Sequence, residues 1–384
     1  MRNEDEQELV AWLALMRAPG VGSTALRRLV EHFGSARSAL GTRRTQLQGI
    51  GLPQNVIDGV LAARAEDATP DLEWLASPGH HALTLDDPRY PARLRQIEGP
   101  PAVLFVNGDP ACLAQPQLAI VGSRHPTPVG RQLAFEFGRH LAQAGLTITS
   151  GLALGIDTAA HEGALNGNGQ TIAVAGTGLD RVYPARNREL AHHIVAQGAI
   201  VSEFPLGTPP RPEHFPQRNR ILSGLTLGVL VVEAARQSGS LITARLAAEQ
   251  GREVFAIPGS IHNPLARGCH WLIRQGAKLV ETAEDVIEEL SELVELPPST
   301  PSRQTISPDN EAGLLPPDPE YTRLLEALGF EPATVDTLVE RTGLTPEAVS
   351  SMLLILELHD RVASVSGGMY LRLRPREEDE RERT

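Results

Sequence analysis

A strand, a glycine-rich turn and a helix recur in that order from residue 118 to residue 257, and this repeat constrains the fold most strongly. The apolar runs are short and nearly uninterrupted, which is typical of parallel strands buried on both faces. Six strands are predicted: Leu118–Val121, Leu146–Thr149, Thr171–Ala175, Ala199–Glu203, Leu227–Val232 and Val254–Ile257. Helical stretches such as Gly130–Ala144 and Leu241–Gln250 supply the crossovers. The pattern predicts an α/β fold with an extended, doubly wound Rossmann-like parallel sheet.

Changes in composition divide the rest of the chain. Residues 1–75 read as a helical module, and residues 76–290 as a small strand-containing connector followed by the Rossmann-like domain. Residues 291–320 are rich in Pro, Ser and acid, which is typical of a linker. Residues 321–375 form a further small domain, and residues 376–384 a charged tail.

The helical module contains Gly20-Val-Gly22 followed by Ala25, which resembles a dinucleotide fingerprint. That fingerprint needs a preceding strand, whereas Trp12 to Arg17 reads as helix. The segment therefore favours a helix-hairpin-helix or SAM-like module, in which a helix N-terminus can meet a phosphate. A plain packing module without a ligand is an equally good interpretation.

The last domain combines three amphipathic helices, Tyr321–Leu328, Val335–Arg341 and Glu347–Leu358, with a hairpin over Val362–Arg372. This arrangement predicts a winged helix. Its recognition helix carries Glu347 and Glu357 and no basic residue, whereas a helix that reads duplex DNA normally presents Arg or Lys. We therefore expect this domain to contact protein and not the major groove.

The net charge of −12 is unevenly distributed along the chain. Residues 281–320 contain eleven acidic residues and one arginine, while residues 121–280 contain fifteen basic and ten acidic residues. The acidic total therefore does not exclude a polyanionic partner for the predicted sheet domain. The chain has a single lysine, Lys278, followed by leucine, so a P-loop NTPase is excluded.

The start of the chain is acidic where a signal peptide would be basic and then apolar, and no apolar run is long enough for a membrane helix. The two cysteines cannot supply a zinc site alone. These features predict a cytoplasmic protein without membrane insertion, metal or cofactor.

No catalytic motif is present. Asp157 with His161, Glu203 and Glu233 are weak acid–base candidates, better explained as capping groups or partners of arginines.

Small residues and arginines follow the predicted strands. They include Gly122-Ser-Arg124, Gly176-Thr-Gly178 with Arg181, and Ser238-Gly-Ser240. In an open parallel sheet the carboxyl ends of the strands form the ligand site. Glycine and serine allow close backbone approach, helix N-termini attract anions, and arginine matches phosphate geometry. The set predicts an anionic ligand, although each glycine alone could simply make a tight turn.

Two segments share the pattern aromatic-Pro-x-Arg-Asn-Arg-x-Leu, at Tyr183–Leu190 and Phe215–Leu222. Proline can fix the entry to a helix and asparagine can cap it or hold a loop, so the arginine pair would present phosphate donors from the first turn. The aromatic residues could stack on bases or could belong to the core. Chance repetition in an arginine-rich chain is the alternative.

Together these residues resemble the DprA (Smf) family of DNA-processing proteins over nearly the whole chain. The stretches that carry the resemblance are Ile120-Val-Gly-Ser-Arg124, Ser150-Gly-Leu-Ala-Leu-Gly155-Ile-Asp157, Gly176-Thr-Gly178, Phe215-Pro-Gln-Arg-Asn-Arg-Ile-Leu-Ser-Gly224, Ser238-Gly-Ser-Leu-Ile-Thr-Ala244 and Ile257-Pro-Gly259. The resemblance implies a homodimeric protein that is not an enzyme. It implies binding of single-stranded DNA by the Rossmann-like domain and loading of the RecA recombinase during natural transformation.

The resemblance also implies which residues line the DNA pocket. The side chains that would line the pocket are those of Arg124, Arg218, Asn219, Arg220 and Arg181. Relatives often have lysine at the position of Arg181. Backbone and small residues would be Gly122, Ser123, Gly178, Ser238, Gly239 and Ser240.

Two other functions remain open at this point. A related Rossmann-like family hydrolyses nucleoside monophosphates, but its Pro-Gly-Gly-x-Gly-Thr turn is replaced here by Ser238-Gly-Ser-Leu-Ile-Thr243. A transcription factor acting through the winged helix is disfavoured by the acidic recognition helix.

Overall fold

The computed structural model describes residues 2–293, 319–329, 332–365 and 367–373. These residues form two compact units, the first containing most of the chain up to residue 293 and the second containing the winged-helix region. None of the helices in these segments combines the length and apolar character that crossing a bilayer requires. Most of the linker predicted over 291–320, and the tail from 376, lie outside the described residues.

A nine-stranded sheet organises the first unit. Its strands are β1 (His80–Thr84), β2 (Val103–Gly108), β3 (Gln117–Val121), β4 (Thr147–Ser150), β5 (Thr171–Val174), β6 (Ala199–Ser202), β7 (Gly228–Val231), β8 (Glu253–Ala256) and β9 (Lys278–Leu279). The spatial order is β1-β2-β6-β5-β4-β3-β7-β8-β9. Every neighbouring pair from β6 to β9 is parallel, and β1 and β2 add an antiparallel edge. The predicted doubly wound Rossmann-like fold is confirmed. The pattern missed β1 and β9, which lie at the two edges of the sheet.

Helices cover both faces of this sheet. They are α7 (Ala92–Arg95), α8 (Pro128–Gln143), α9 (Ile156–Asn166), α10 (Arg188–Gln197), α11 (His214–Leu225), α12 (Gly239–Glu249), α13 (Arg267–Arg274) and α14 (Ala283–Ser291). Alternate strand residues face opposite layers: Ala119 packs in a core with α11, α12 and α13, and Ile120 in a core with α8, α9 and α14. This alternation explains the nearly continuous apolar strands, because both faces are buried.

Six helices precede the sheet. They are α1 (Arg2–Arg17), α2 (Ser23–Phe33), α3 (Ala36–Leu40), α4 (Arg44–Gly49), α5 (Gln54–Ala62) and α6 (Thr69–Leu75). A helix and not a strand precedes Gly20, so the dinucleotide fingerprint is excluded as expected. The core of these helices includes Val103 and Phe105 of β2, so the helical module packs directly on the sheet. Arg17 forms an ion pair with the buried Asp71, and both side chains hydrogen-bond to the backbone of Leu206.

The second unit is a winged helix, as predicted. Its elements are α15 (Pro319–Leu328), β10 (Ala333–Thr334), α16 (Val335–Thr342), α17 (Pro346–Leu358), β11 (Val362–Val365) and β12 (Met369–Arg372). The strands form a small antiparallel sheet in the order β10-β12-β11. Gly343 ends α16 in the left-handed conformation, with φ of 70°, and allows the tight turn into α17.

Candidate nucleic-acid interface

The strand order reverses at β3, which pairs with β4 on one side and with β7 on the other. Chain connections lead away from this position in both directions, so it is the topological switch point at which open α/β sheets bind ligands. The turn after β3 contains Gly122, Ser123 and Arg124, and the segment after β7 leads to Ser238 at the start of α12. The sequence-predicted strand ends therefore converge on one edge of the sheet.

Arg124 is an exposed cation at this edge. No carboxylate among the described residues lies within ion-pair distance of its guanidinium. The carbonyl of Ser123 accepts a hydrogen bond from the amide of Ile156 at 3.1 Å, which fixes the turn against the start of α9. Gly155 has φ of 85° and touches this turn so closely that a side chain there would collide with the Ser123 carbonyl. The turn therefore holds Arg124 in a defined position.

An aromatic pair adjoins Arg124. The Cζ atom of Arg124 lies 5.4 Å from the centroid of the Phe215 ring, a cation–π distance. The rings of Phe215 and Tyr183 are 5.8 Å apart between centroids and inclined by 36°. Tyr183 is 48% exposed, and Phe215 is partly buried. The structure thus joins the two aromatic-Pro motifs of the sequence through their aromatic residues.

Arg218 lies inside the protein, beneath this edge. Only 5% of its surface is exposed, and its Nη1 atom donates a hydrogen bond of 2.6 Å to the carbonyl of Val174 at the end of β5. The guanidinium also packs so tightly on Gly151, after β4, that a Cβ atom there would collide with it. Arg218 therefore joins the carboxyl ends of two neighbouring strands and offers little surface to an external phosphate.

Asp157 shares this buried environment. Its Oδ2 atom accepts hydrogen bonds from the amides of Gly151 at 3.1 Å and Ala153 at 3.3 Å. Burial raises the pKa of Asp157, and attraction to Arg218 opposes the rise. Burial also lowers the pKa of Arg218, and here the attraction to Asp157 is again the opposing influence. The carboxylate thus compensates the buried Arg218, whereas Arg124 is exposed.

Arg220 points away from the buried Arg218. It pairs with Glu203, whose side chain is only 8% exposed. The expectation that Arg218 and Arg220 present phosphate donors from the first turn of a helix is wrong, because α11 begins at His214 and both residues lie in its second turn. Residues two positions apart on an α-helix are rotated by about 200° around its axis, so their side chains point to nearly opposite sides. Asn219, between them, is partly buried, and its carbonyl accepts from the Ser223 hydroxyl at 3.1 Å.

The first copy of the motif has a different structure. Asn187 immediately precedes α10, and its side-chain amide donates to the Leu152 carbonyl at 2.9 Å and to the Thr158 hydroxyl at 2.9 Å. Asn187 therefore holds the loop after β4, as the pattern indicated for asparagine. Arg186 and Arg188 on either side of it are exposed.

Arg181 is exposed but paired. It donates to Asp180 Oδ2 through Nη2 at 2.7 Å, and Asp180 Oδ1 accepts from the amide of Gly207 at 2.8 Å. Partial burial tends to raise the pKa of Asp180, but these hydrogen bonds outweigh it and hold the pKa below its ordinary value. Gly178 is buried, and its amide donates to the Thr208 carbonyl at 3.1 Å. Arg181 therefore faces a local carboxylate that a phosphate would have to displace.

The segment after β7 forms the remaining wall. Ser238 caps α12, and its hydroxyl accepts from the amide of Ser240 at 3.3 Å and lies 2.7 Å from the Ser240 hydroxyl. Gly239 is exposed and Ser240 is buried. Gly122 packs against Ile156 and the carbonyl of Glu233, so it belongs to the packed junction between β3 and β7.

The weak acid–base candidates are engaged in the interior. His161 is fully buried and its Nδ1 atom lies 2.7 Å from the Thr171 hydroxyl, so it does not pair with Asp157. Glu203 is held by Arg220, and Glu233 is buried with its Oε1 atom 3.4 Å from the side-chain amide of Asn263. Within the described segments no three His, Cys, Asp or Glu side chains are grouped as metal ligands.

Comparison with known proteins agrees with this architecture. A family model described as DNA recombination-mediator protein A matches residues 81–291. The models of the DprA winged helix domain and the DprA-like N-terminal HHH domain match residues 308–368 and 6–42. Protein Smf of Escherichia coli is 43% identical over 364 residues, covering 94% of this chain and 95% of the relative. DNA processing protein DprA of Streptococcus pneumoniae is 48% identical over 224 residues, covering 58% of this chain and 78% of the relative.

Solved structures give the same result. The X-ray structure of S. pneumoniae DprA superposes with a TM-score of 0.64 at 35% identity, covering 75% of this chain and 98% of that chain. A Helicobacter pylori DprA structure, described for its unique single-stranded DNA binding mode, gives a TM-score of 0.51 at 31% identity. The match covers 56% of this chain and 96% of that chain. Fold and matches together define the class, a Rossmann-like DNA-processing protein with a winged-helix module. The chain belongs to the DNA recombination-mediator protein A family, also known as DprA or Smf.

Proposed function

We propose that this protein binds single-stranded DNA at the carboxyl ends of the strands around β3. We call this region, which contains Arg124, Phe215 and Tyr183, the switch-point edge. The observation that carries the proposal is the contact of Arg124, an unpaired exposed cation, with the Phe215 ring beside Tyr183. A phosphate binds the guanidinium, and an unstacked base packs on an aromatic ring. These are the two chemical elements that a site for single-stranded nucleic acid combines.

The arrangement favours a single strand over a duplex. In a duplex the faces of the bases are stacked on one another, so an aromatic side chain reaches them only after unstacking, whereas a single strand offers them directly. The H. pylori relative described for its single-stranded DNA binding mode supports the same assignment. Contacts to phosphate and to base faces carry little sequence information, so we expect binding across many sequences.

We further propose what this binding serves. The description of the matching family as a recombination mediator supports a role in handing the bound strand to the RecA recombinase during natural transformation. The protein would act as a homodimer formed through the Rossmann-like domain, located in the cytoplasm, without catalysing a reaction. The engagement of Glu203 by Arg220 and of His161 by Thr171 supports a binding function.

Fluorescence anisotropy with labelled oligonucleotides tests the proposal. Single-stranded oligothymidylate should bind much more tightly than a duplex of the same length, with an affinity that falls steeply as salt rises. Equal affinity for both forms would contradict it. Incubation with nucleoside monophosphates provides the second test, because release of free base would identify a hydrolase instead. RecA filament formation on strands coated with a single-strand-binding protein, measured with and without this protein, tests the mediator role.

A further inference from the structure

We propose that Glu203 is a positioning residue for the binding of single-stranded DNA. Through its ion pair with Arg220 it fixes the rotation of α11 about the helix axis, and with it the direction of the Phe215 ring. The proposal rests on the proposed function, because it explains how the stacking surface of that site is held in place.

The ion pair is enclosed by the protein. Glu203 directly follows β6 and its side chain is 8% exposed, while the side chain of Arg220 is 21% exposed. The Oε1 atom of Glu203 and the Nη1 atom of Arg220 are buried and have no hydrogen-bond partner within the described segments. Burial raises the pKa of Glu203, and attraction to Arg220 opposes that rise. Because an unpaired charge in the interior is costly, each member of the pair depends on the other.

The ion pair is one of two contacts that hold the second turn of α11. Arg218 donates to the Val174 carbonyl at the end of β5, whereas Arg220 contacts Glu203 at the end of β6. The two arginines point to nearly opposite sides of the helix, and their two partners belong to neighbouring strands of the sheet. Contacts on opposite sides of one turn oppose rotation of the helix in either direction.

The rotation of α11 matters because Phe215 lies one turn before this pair of contacts. The outer atoms of a helix lie about 5–6 Å from its axis, so a rotation of about 10° displaces them by about 1 Å. Groups of a binding site need to be placed within about 0.5 Å. The Phe215 ring is closely packed, since a Cβ atom on Gly176 would lie 3.2 Å from its Cδ1 atom. A small rotation would therefore disturb both this packing and the contact with Arg124.

The segment around Glu203 also holds the other aromatic segment of the site. The Ser202 hydroxyl donates to the Thr177 carbonyl at 2.7 Å, in the loop that leads from β5 to the exposed tyrosine of the aromatic pair. The Phe204 ring stacks on His214, the first residue of α11, with 4.2 Å between the ring centroids. The carboxyl end of β6 is thus a common support for α11 and for the loop that carries the second ring.

The variant Glu203→Leu tests the proposal because it keeps a side chain of similar size but removes the acceptor. At a temperature where the variant is folded, oligothymidylate should bind at least about threefold more weakly than to the wild type. The slope of log affinity against log salt should stay unchanged, because no phosphate contact is lost. The conservative variant Glu203→Gln should keep most of the affinity, since its amide oxygen still accepts from Arg220.

A double-mutant cycle with Phe215→Leu asks whether Glu203 acts through the ring. In the Phe215→Leu background the change Glu203→Leu should cause no further loss of affinity, because the group that it positions is already absent. An equal loss of affinity in both backgrounds would overturn the proposal. So would wild-type affinity of Glu203→Leu in a protein in which Phe215→Leu weakens binding, and that result would leave the proposed function intact. Wild-type affinity of Phe215→Leu would instead contradict the stacking site itself.

Two further variants separate positioning from stability. Asp71→Leu is the matched control, because Asp71 is a fully buried carboxylate whose partner Arg17 is also 21% exposed, but it joins the helical module to the Leu206 backbone. It should lower the free energy of unfolding measured with urea and keep the wild-type affinity for DNA. An affinity loss equal to that of Glu203→Leu would assign the effect to general loosening of the fold and overturn the proposal.

The double variant Glu203→Leu/Arg220→Met removes both charges and leaves none unpaired in the interior. It should be more stable than Glu203→Leu in urea but bind oligothymidylate as weakly, because apolar contact does not fix the rotation of α11. Recovery of affinity together with stability would overturn the positioning role. A slope shallower by about 0.7 in this variant than in Glu203→Leu would also overturn it, because it would show that Arg220 contacts a phosphate.

Discussion

The guanidinium of Arg124 lies over the ring of Phe215, with 5.4 Å between Cζ and the ring centroid. The two residues come from the turn after β3 and from α11, which are 91 positions apart in the chain. A cation–π contact at an exposed site contributes about 0.5–1 kcal/mol, enough to orient the arginine without withdrawing its donors from a phosphate. The pair thus prepares a phosphate site and a base site side by side.

Removal of the Phe215 ring should weaken binding without changing its salt dependence. The variant Phe215→Leu keeps an apolar side chain but loses the stacking surface, which corresponds to about 1–3 kcal/mol per base. We expect at least about a fivefold loss of affinity for oligothymidylate at an unchanged salt slope. Phe215→Tyr keeps the ring and should bind like the wild type. Wild-type affinity of Phe215→Leu would rule out stacking.

Arg218 should act by positioning the edge and not by touching phosphate. In Arg218→Ala the Val174 carbonyl and the buried Asp157 lose their positive partner, so the free energy of unfolding should fall by about 3 kcal/mol. Urea denaturation measures this loss, and the salt slope of DNA binding at a temperature where the variant is folded should equal that of the wild type. A slope shallower by about 0.7 with full stability would show direct phosphate contact instead.

His161 should make the protein less stable in mild acid. The Thr171 hydroxyl donates to the Ile148 carbonyl at 2.7 Å, so it accepts from His161 Nδ1–H, and the buried Nε2 atom has no hydrogen-bond partner. Burial, reinforced by Arg218, lowers the pKa of His161 to about 3. The unfolded chain, with a pKa of about 6.5 at this residue, therefore binds a proton that the folded chain does not.

The contribution of His161 to the free energy of unfolding is therefore at its full value above about pH 6.5. It decreases by about 1.4 kcal/mol per pH unit as the pH falls from there towards 3. Urea denaturation between about pH 4.5 and 8 should show this slope in the wild type and its loss in His161→Gln. His81→Gln is the control, because the His81 pKa is also lowered by burial but that side chain is only partly buried. An identical slope in wild type and His161→Gln would contradict the assignment.

The ion pair between Arg17 and Asp71 should couple the helical module to the sheet domain. Asp71 is fully buried and hydrogen-bonds to the Leu206 amide at 3.2 Å as well as to Arg17. Asp71→Ala should reduce the free energy of unfolding by about 3 kcal/mol, since it leaves a partly buried arginine unpaired. In a double-mutant cycle with Arg17→Ala the two losses should be less than additive. Additive losses would show that the pair is not coupled.

The winged helix should not read duplex DNA. The exposed face of α17 presents Leu354 at 58% exposure and Leu358 at 77%, with Glu347 at its start. A helix without basic side chains displaces no counterions from the DNA phosphates, so binding in the major groove gains no affinity from their release. A chain ending at residue 293 should therefore bind duplex as weakly as the full chain in gel shifts at physiological salt. Duplex binding that depends on residues 319–373 would refute this expectation.

Much of the fold could be predicted from local pattern. The strands from β3 to β8 were located to within one or two residues, because burial on both faces leaves long apolar runs between glycine-rich turns. The edge strands escaped detection: β9 is two residues long, and β1 contains His80 and His81, which are tolerated on a partly covered edge. The packing of the helical module on β2 depends on contacts between distant segments, which no local pattern contains.

The site was only partly predictable. The sequence placed Arg124 correctly beside a strand end, but it did not show that Arg218 is buried while Arg220 pairs with Glu203. A signal was present, because Arg218 lies three, four and seven positions before Ile221, Leu222 and Leu225, which form the buried face of α11.

The salt dependence of single-strand binding by Arg124→Ala tests the central claim most directly. Anisotropy titrations of a short oligothymidylate should show weaker binding than the wild type at every salt concentration, and a slope shallower by about 0.7 because one phosphate contact is lost. Arg323→Ala, which removes an exposed arginine from the winged helix, should leave both quantities unchanged. Wild-type affinity and slope in Arg124→Ala would contradict the assignment of the switch-point edge as the DNA site.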